Sequence, residues 1–220
     1  MKDVSVLRAQ VVQVIKSGQL ARLPLLDIVE QIKERYKFHS VPSPQELLQP
    51  IQNTPSTFTF GKFRENTIET FQVLDLANVG TVLAVICRTS TSHAEQFLAD
   101  VFDCVDNTSR IDRSSIWPVL FQSNLEVVME ASVASKLASF QPVAQVVSNL
   151  LKRYGIQAQY EPVGVSLHFD TAVQKQPLPA PFVFERRTGA PYSENRYYSQ
   201  APLKTEDHKA LLEQVEKMIR

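Results

Sequence analysis

Ser166, His168 and Asp170 stand at alternate positions of the segment VGVSLHFD, residues 163–170. These are the residue types of nucleophilic acyl transfer, in which serine attacks, histidine takes its proton and the acid orients the histidine. Strand alternation puts them on one face and Val163, Val165, Leu167 and Phe169 on the other. Residues two apart on a strand are about 6.6 Å apart, whereas a nucleophile and its base must meet at about 2.6–3.2 Å. The segment therefore reads as the polar face of a half-exposed strand, and no catalytic residue is assigned.

Metal and cofactor chemistry find no footing either. His39, His93, His168 and His208 fall in separate segments, without HExxH, CxxC or HxH spacing. The six glycines form neither GxGxxG nor GxxxxGK[ST]. No metal site and no cofactor are expected.

Two stretches hold binding chemistry. The first, Arg88 to His93 (RTSTSH), joins an apolar run to a helix. Arg88, Ser90, Ser92 and His93 are the candidate anion-binding residues: hydroxyls, a guanidinium and free helix N–H groups together can hold an anion. The second runs from Phe182 to Pro202 and places Tyr192, Tyr197 and Tyr198 among Arg186, Arg187 and Arg196. Tyrosine offers rigid area with a polar tip and arginine a forked donor, the pair enriched at protein interfaces. These six are the candidate partner-binding residues. The competing account is structural, a meander covering a sheet edge whose prolines, Pro191 and Pro202, deny edge pairing.

Composition narrows the partners. Lys plus Arg equals Asp plus Glu at 23 each, so the net charge is zero. That balance argues against non-specific nucleic-acid binding and permits self-association. No N-terminal apolar h-region and no apolar run of about 20 residues appear, so a cytoplasmic protein without a membrane partner is expected. Cys87 and Cys104 read as reduced thiols.

The elements that must position these residues follow from periodicity. Val4, Leu7, Val11, Val14 and Ile15 recur at helical spacing, with Gly18 as a stop. A second helix follows from Pro24, with Leu25, Ile28, Val29, Ile32 and Tyr36 as its stripe. SPQE at 43–46 is a capping box opening a third helix that Pro50 ends. Strands are expected over TFTF (57–60), ENTIETFQVLDL (65–76), TVLAVIC (81–87), NLEVVMEASV (124–133), IQAQYE (156–161), 163–170 and FVFER (182–186), with a turn at Asn78 to Gly80. Helices are expected from Ser92, capped by that residue with Glu95, over 140–154, with Val143, Val146, Val147, Leu150, Leu151 and Tyr154 along one side, and from Thr205 with Leu211, Leu212, Val215, Met218 and Ile219 facing inward. Residues 107–118 read as a loop, and QKQPLPAP (174–181) as an extended connection.

Strands cluster in pairs between helices, which predicts an α+β fold. Its antiparallel or mixed sheet would carry helices mainly on one face, and an N-terminal helical segment, 1–53, would precede the α+β domain, 54–220. Three helices and a hairpin outline a winged helix, yet the third helix offers one acid and no base. The expected function is a non-enzymatic subunit or adaptor contacting a protein partner or itself. An enzyme for a small anionic substrate near 88–93 is the alternative, and a nucleic-acid-binding protein the second alternative.

Overall fold

The computed structural model describes residues 1–16, 25–48, 54–76, 80–106, 116, 118–170 and 178–220. The expectations for Gly18, Pro24, Pro50, Asn78, the 107–115 part of the loop and residues 174–177 lie outside them. The described elements are β1 (Val4–Lys16), α1 (Leu25–Tyr36), α2 (Pro44–Leu48), β2 (Ser56–Phe63), β3 (Asn66–Leu76), β4 (Gly80–Cys87), α3 (Thr91–Asp106), β5 (Leu120–Val128), α4 (Gln141–Arg153), β6 (Gly164–Leu167), β7 (Phe182–Arg186), β8 (Arg196–Ala201) and α5 (Thr205–Ile219). The strands hydrogen-bond in the order β2-β3-β4-β1-β5-β8-β7-β6. The ladders β2–β3, β3–β4, β4–β1, β6–β7 and β7–β8 are antiparallel. The fold is α+β.

The N-terminal helical segment is not present: the chain opens with a strand. Six of the thirteen residues of β1 are Val or Ile, side chains that lose rotamer freedom in a helix and fit a pleated surface. Their three-to-four spacing imitates a helix because β1 lies inside the sheet, where strict alternation is not required. Its register with β4 runs from Ala9 opposite Cys87 to Lys16 opposite Gly80. With β1 a strand, the three-helix order behind a winged-helix outline is lost.

The chain divides into two compact units. The first contains residues 6–123 and 202–205. Its core is aromatic: Phe97 of α3 meets Tyr36 at 4.7 Å between ring centroids, and Phe63 and Phe71 at 5.6 Å each, all edge-on. Ile28, Val29, Ile32 and Tyr36 of the stripe expected of α1 are buried here. A Cβ at Gly61 would fall 2.4 Å from the Phe38 ring, so this glycine makes room for that ring. The α2 capping box forms as expected, with the Ser43 amide donating to Glu46 at 2.6 Å and the Glu46 amide to Ser43 Oγ at 3.3 Å. On α3 the cap is Ser90 instead of Ser92: its Oγ accepts from the His93 amide at 3.0 Å. Glu95, freed of the capping role, pairs with Lys204 at 2.7 Å.

The second unit contains residues 1–5, 124–201 and 206–220. Phe184 of β7 stacks on Tyr197 of β8 at 4.7 Å, above a core that includes Leu125, Val127, Met129 and Leu212. β8 alternates cleanly, with Tyr197, Ser199 and Ala201 buried. β5 gives way to a short 3-10 turn at Val133–Ser135 instead of continuing to 133. Residues 156–161 form no strand; the Tyr160 amide donates to Ser148 Oγ of α4 at 2.8 Å, a bond to a helix and not to a ladder. On α5, Leu212 and Ile219 are buried as expected, but Met218 is exposed.

Candidate functional site

The Tyr/Arg tract is built into the sheet. Tyr197 is fully buried, and its hydroxyl accepts from the Val133 amide at 2.9 Å. The Arg186 guanidinium sits 4.5 Å from the Tyr192 ring centre and 5.6 Å from that of Tyr197, and donates to Ser132 Oγ and the Tyr192 carbonyl at 2.8 Å each. Arg187 and Arg196 converge on Glu126 at 3.1 and 2.8 Å, and Arg196 also reaches Glu194 at 3.1 Å. Hydrogen bonds to Glu126 and Glu194 hold the Arg196 guanidinium above its usual range. Tyr198 is half-buried, and Arg187 and Tyr192 are exposed. Glu126 and Glu194 thus neutralise Arg187 and Arg196, Ser132 and the Tyr192 carbonyl hold Arg186, and Tyr192 is the most exposed of the three tyrosines.

In the stretch from Arg88 to His93 the donors are also engaged. Arg88 pairs with Glu69 at 2.6 Å. The Ala94 amide bonds the Ser90 carbonyl at 3.1 Å, and the Thr91 amide donates to Thr205 Oγ1 at 2.9 Å. The Thr205 amide returns a bond to Thr91 Oγ1 at 2.8 Å, so α3 and α5 cap each other through two buried threonines. With the His93 amide on Ser90, three donors of the first turn of α3 are satisfied by the protein itself. This mutual cap joins residues 114 apart in sequence and has no local signature.

His93 packs against Phe63, with ring centroids 5.4 Å apart, and its Nε2 is buried without a partner. Burial, then the Arg64 charge, lowers its pKa below the ordinary 6.5. The unfolded chain therefore binds the proton first, and the stability this neutral imidazole lends is complete above pH 6.5 and declines as pH falls through the folded value. A His93→Phe variant is expected to show a shallower loss of urea midpoint between neutral and mildly acidic pH than the wild type; parallel curves would contradict this.

Two serine–histidine contacts exist. Ser166 Oγ lies 2.9 Å from His168 Nε2, closer than strand spacing implied, because β6 stops at Leu167 and side-chain reach is not bounded by the rise between Cα atoms. Both residues are exposed. Ser199 Oγ lies 2.8 Å from His208 Nε2 and donates to the Val183 carbonyl at 3.1 Å, so the imidazole is the donor to the hydroxyl there; both side chains are fully buried. That pair ties β8 to α5 and has no access for a substrate. No cluster of His, Cys, Asp and Glu among the described residues could hold a metal ion. Cys87 is buried and Cys104 half-buried, both as free thiols.

A surface groove of about 560 Å³ in the first unit is lined by Arg35, Tyr36, Lys62, Arg64, Gln96 and Asp100, among others. Arg35 grips Asp100 with both fork nitrogens at 2.7 and 2.9 Å, and the Tyr36 hydroxyl donates to the same carboxylate at 2.6 Å. The Arg35 bond holds the Asp100 carboxyl below its ordinary range, while burial followed by the Asp100 bond pushes the Tyr36 hydroxyl up. Asp100 thus stabilises the fold above the ordinary carboxylate value and loses that contribution as pH falls below it. Asp100→Ala is expected to lower stability by about 1–3 kcal/mol by orphaning the Tyr36 hydroxyl, checked by urea unfolding at neutral pH.

The most unusual surface lies on the helix expected over 140–154. Of thirteen large hydrophobic side chains exposed among the described residues, ten lie between Phe140 and Leu167. At 3.6 residues per turn, Val143, Val146, Val147, Leu150 and Tyr154 share one face of α4 and its C-terminal end. The one buried residue of α4 is Ser148, on the far flank. Its hydroxyl donates to the Ala144 carbonyl at 2.9 Å and accepts from the Tyr160 amide. The helix is therefore seated on the flank of Ala144, Ser148 and Leu151 and turns Val143, Val146 and Leu150 outward, whereas an ordinary surface helix buries its apolar stripe. No helix among the described residues is long and apolar enough to cross a membrane. No protein-family model matches the chain, and no curated protein matches it significantly in sequence.

Proposed function

We propose that the protein is a non-enzymatic subunit or adaptor that works by protein–protein contact or self-assembly. The outward apolar face of α4 carries this reading. The largest apolar patch on a typical monomer is about 300–600 Å². Of the ten side chains between Phe140 and Leu167, Phe140, Tyr154 and Tyr160 are aromatics of about 150–250 Å² each and the other seven are smaller aliphatic side chains; at exposures from 37% to 73%, the ten together leave on the order of 1,000 Å² in water, spread over α4, the connection after it and β6. Polar chemistry points the same way: the Tyr/Arg tract, the Arg88–His93 loop apart from His93 Nε2, and the Arg35–Asp100–Tyr36 set are each engaged by partners within the chain.

Light scattering combined with pull-down tests the reading, with the wild type compared against Val146→Glu. The wild type is expected to retain a copy of itself or another protein at micromolar concentration, and the variant to lose it with its circular dichroism unchanged. A wild-type chain that stays monomeric and retains nothing would remove the proposal.

A further inference from the structure

We infer that the surface covering α4 is α4 of a second copy of this chain, the two helices lying antiparallel across a two-fold axis. This rests on the protein-contact reading above and names its partner. Two observations select a second copy and a third sets its orientation.

The first is charge. From Leu137 to Leu151 the chain carries no charged residue, and the first turn of α4 has no acid. A two-fold interface sets a patch against itself, so any charge on it faces its own sign; this stripe has none to repel. A partner selected by charge complementarity would have nothing here to read.

The second is area. The ten exposed side chains of α4, the connection after it and β6 together leave on the order of 1,000 Å² in water, so a contact centred on α4 and extending to β6 reaches the roughly 800 Å² per partner of a stable interface. An interfacial membrane helix of this size would carry Lys and Arg along its polar face. The polar face of α4 offers Gln141, Gln145 and Asn149, with basic residues only in the last turn, at Lys152 and Arg153.

The third sets the direction. Parallel helices would bring Lys152 and Arg153 of both copies together. Antiparallel helices hold them apart by about 20 Å, the length of thirteen residues at 1.5 Å each, and oppose the two dipoles favourably. The exposed stripe from Val143 to Leu150 is then centred between Val146 and Val147, so Val143 meets Leu150 and Val146 lies within about one residue's rise, 1.5 Å, of its own copy. β6, the last strand of the sheet among the described residues, adds exposed Val165 and Leu167 and contains no lysine or proline to guard its edge.

Sedimentation velocity and cysteine cross-linking of the full chain test the inference. The wild type is expected to sediment as a dimer at micromolar concentration. A Val146→Glu, Leu150→Glu double variant should sediment as a monomer with unchanged circular dichroism. In a Cys104→Ser background, Val146→Cys should cross-link to itself on mild oxidation. Val143→Cys should not, but should cross-link when mixed with Leu150→Cys. A monomeric wild type, a dimer that survives the double variant, or efficient self-cross-linking of Val143→Cys would overturn the inference. A monomeric wild type that captures a different protein through Val146 overturns the second copy while the protein-contact reading stands. Val146-dependent binding of a monomer to phosphatidylcholine or anionic vesicles, without protein capture, overturns both.

Discussion

Phe97→Ala is expected to lower stability by about 3–5 kcal/mol, the range for truncating a large aromatic in a packed core. Phe97 is fully buried and stands at the centre of the first unit's ring cluster, in edge contact with Tyr36, Phe38, Phe63 and Phe71. These rings come from α1, its C-terminal extension, β2 and β3, so the cavity would open where helix and sheet layers meet. Rigid neighbours such as Phe71, itself in tilted contact with Phe58 at 5.4 Å, have little room to collapse into it. Phe97→Leu, which keeps most of the volume, is expected to lose much less. Urea unfolding monitored by circular dichroism measures both, and a Phe97→Ala loss below about 1 kcal/mol would mean that the cluster is not the core of this unit.

Tyr197→Ala carries a similar expectation for the second unit, about 3–5 kcal/mol, and it separates two roles for the Tyr/Arg tract. The ring stacks on Phe184 and lies under the Arg186 guanidinium. Its hydroxyl accepts from the buried Val133 amide, at the start of the 3-10 turn after β5. Tyr197→Phe keeps the stack and orphans that buried amide, for an expected loss of about 1–3 kcal/mol. If Tyr197 were a surface contact, Tyr197→Phe would leave the unfolding midpoint unchanged and weaken association. Tyr192→Ala gives the opposite comparison: an exposed ring whose removal is expected to move stability by no more than about 0.5 kcal/mol beyond its cation–π contact.

Much of the architecture could be read directly from residue pattern. The alternation in β2 and β3, the apolar run of β4, the reciprocal cap at Ser43 and Glu46 and the helix from Thr205 all follow from local rules that the fold obeys. β1 was illegible for a specific reason: Val4, Leu7, Val11 and Val14 repeat at helical spacing, and only pairing with β4, about 70 residues away in sequence, decides for a strand. Ser90 and Ser92 both had capping chemistry, and the choice fell to the geometry of entry from β4. In the Tyr/Arg tract, pattern gave residue types but not which of the consecutive pair Tyr197 and Tyr198 turns inward; the pleat of β8 settles that. For α4 the period located an apolar face correctly, but a period does not say what covers that face. The answer depended on Ser148, whose bond to the Tyr160 amide seats the helix on its other flank.

Hydroxyl-radical footprinting at rising protein concentration tests the central claim most directly, because it reports the solvent exposure of individual side chains. Phe140, Leu150 and Tyr154 are predicted to be oxidised readily in dilute protein and to become protected as the protein associates. Tyr192 and Met218, equally exposed but away from α4, should stay reactive throughout. If Phe140, Leu150 and Tyr154 remain as reactive as Met218 at every concentration and in the presence of any retained partner, the outward face of α4 is not a contact surface and the proposed function fails.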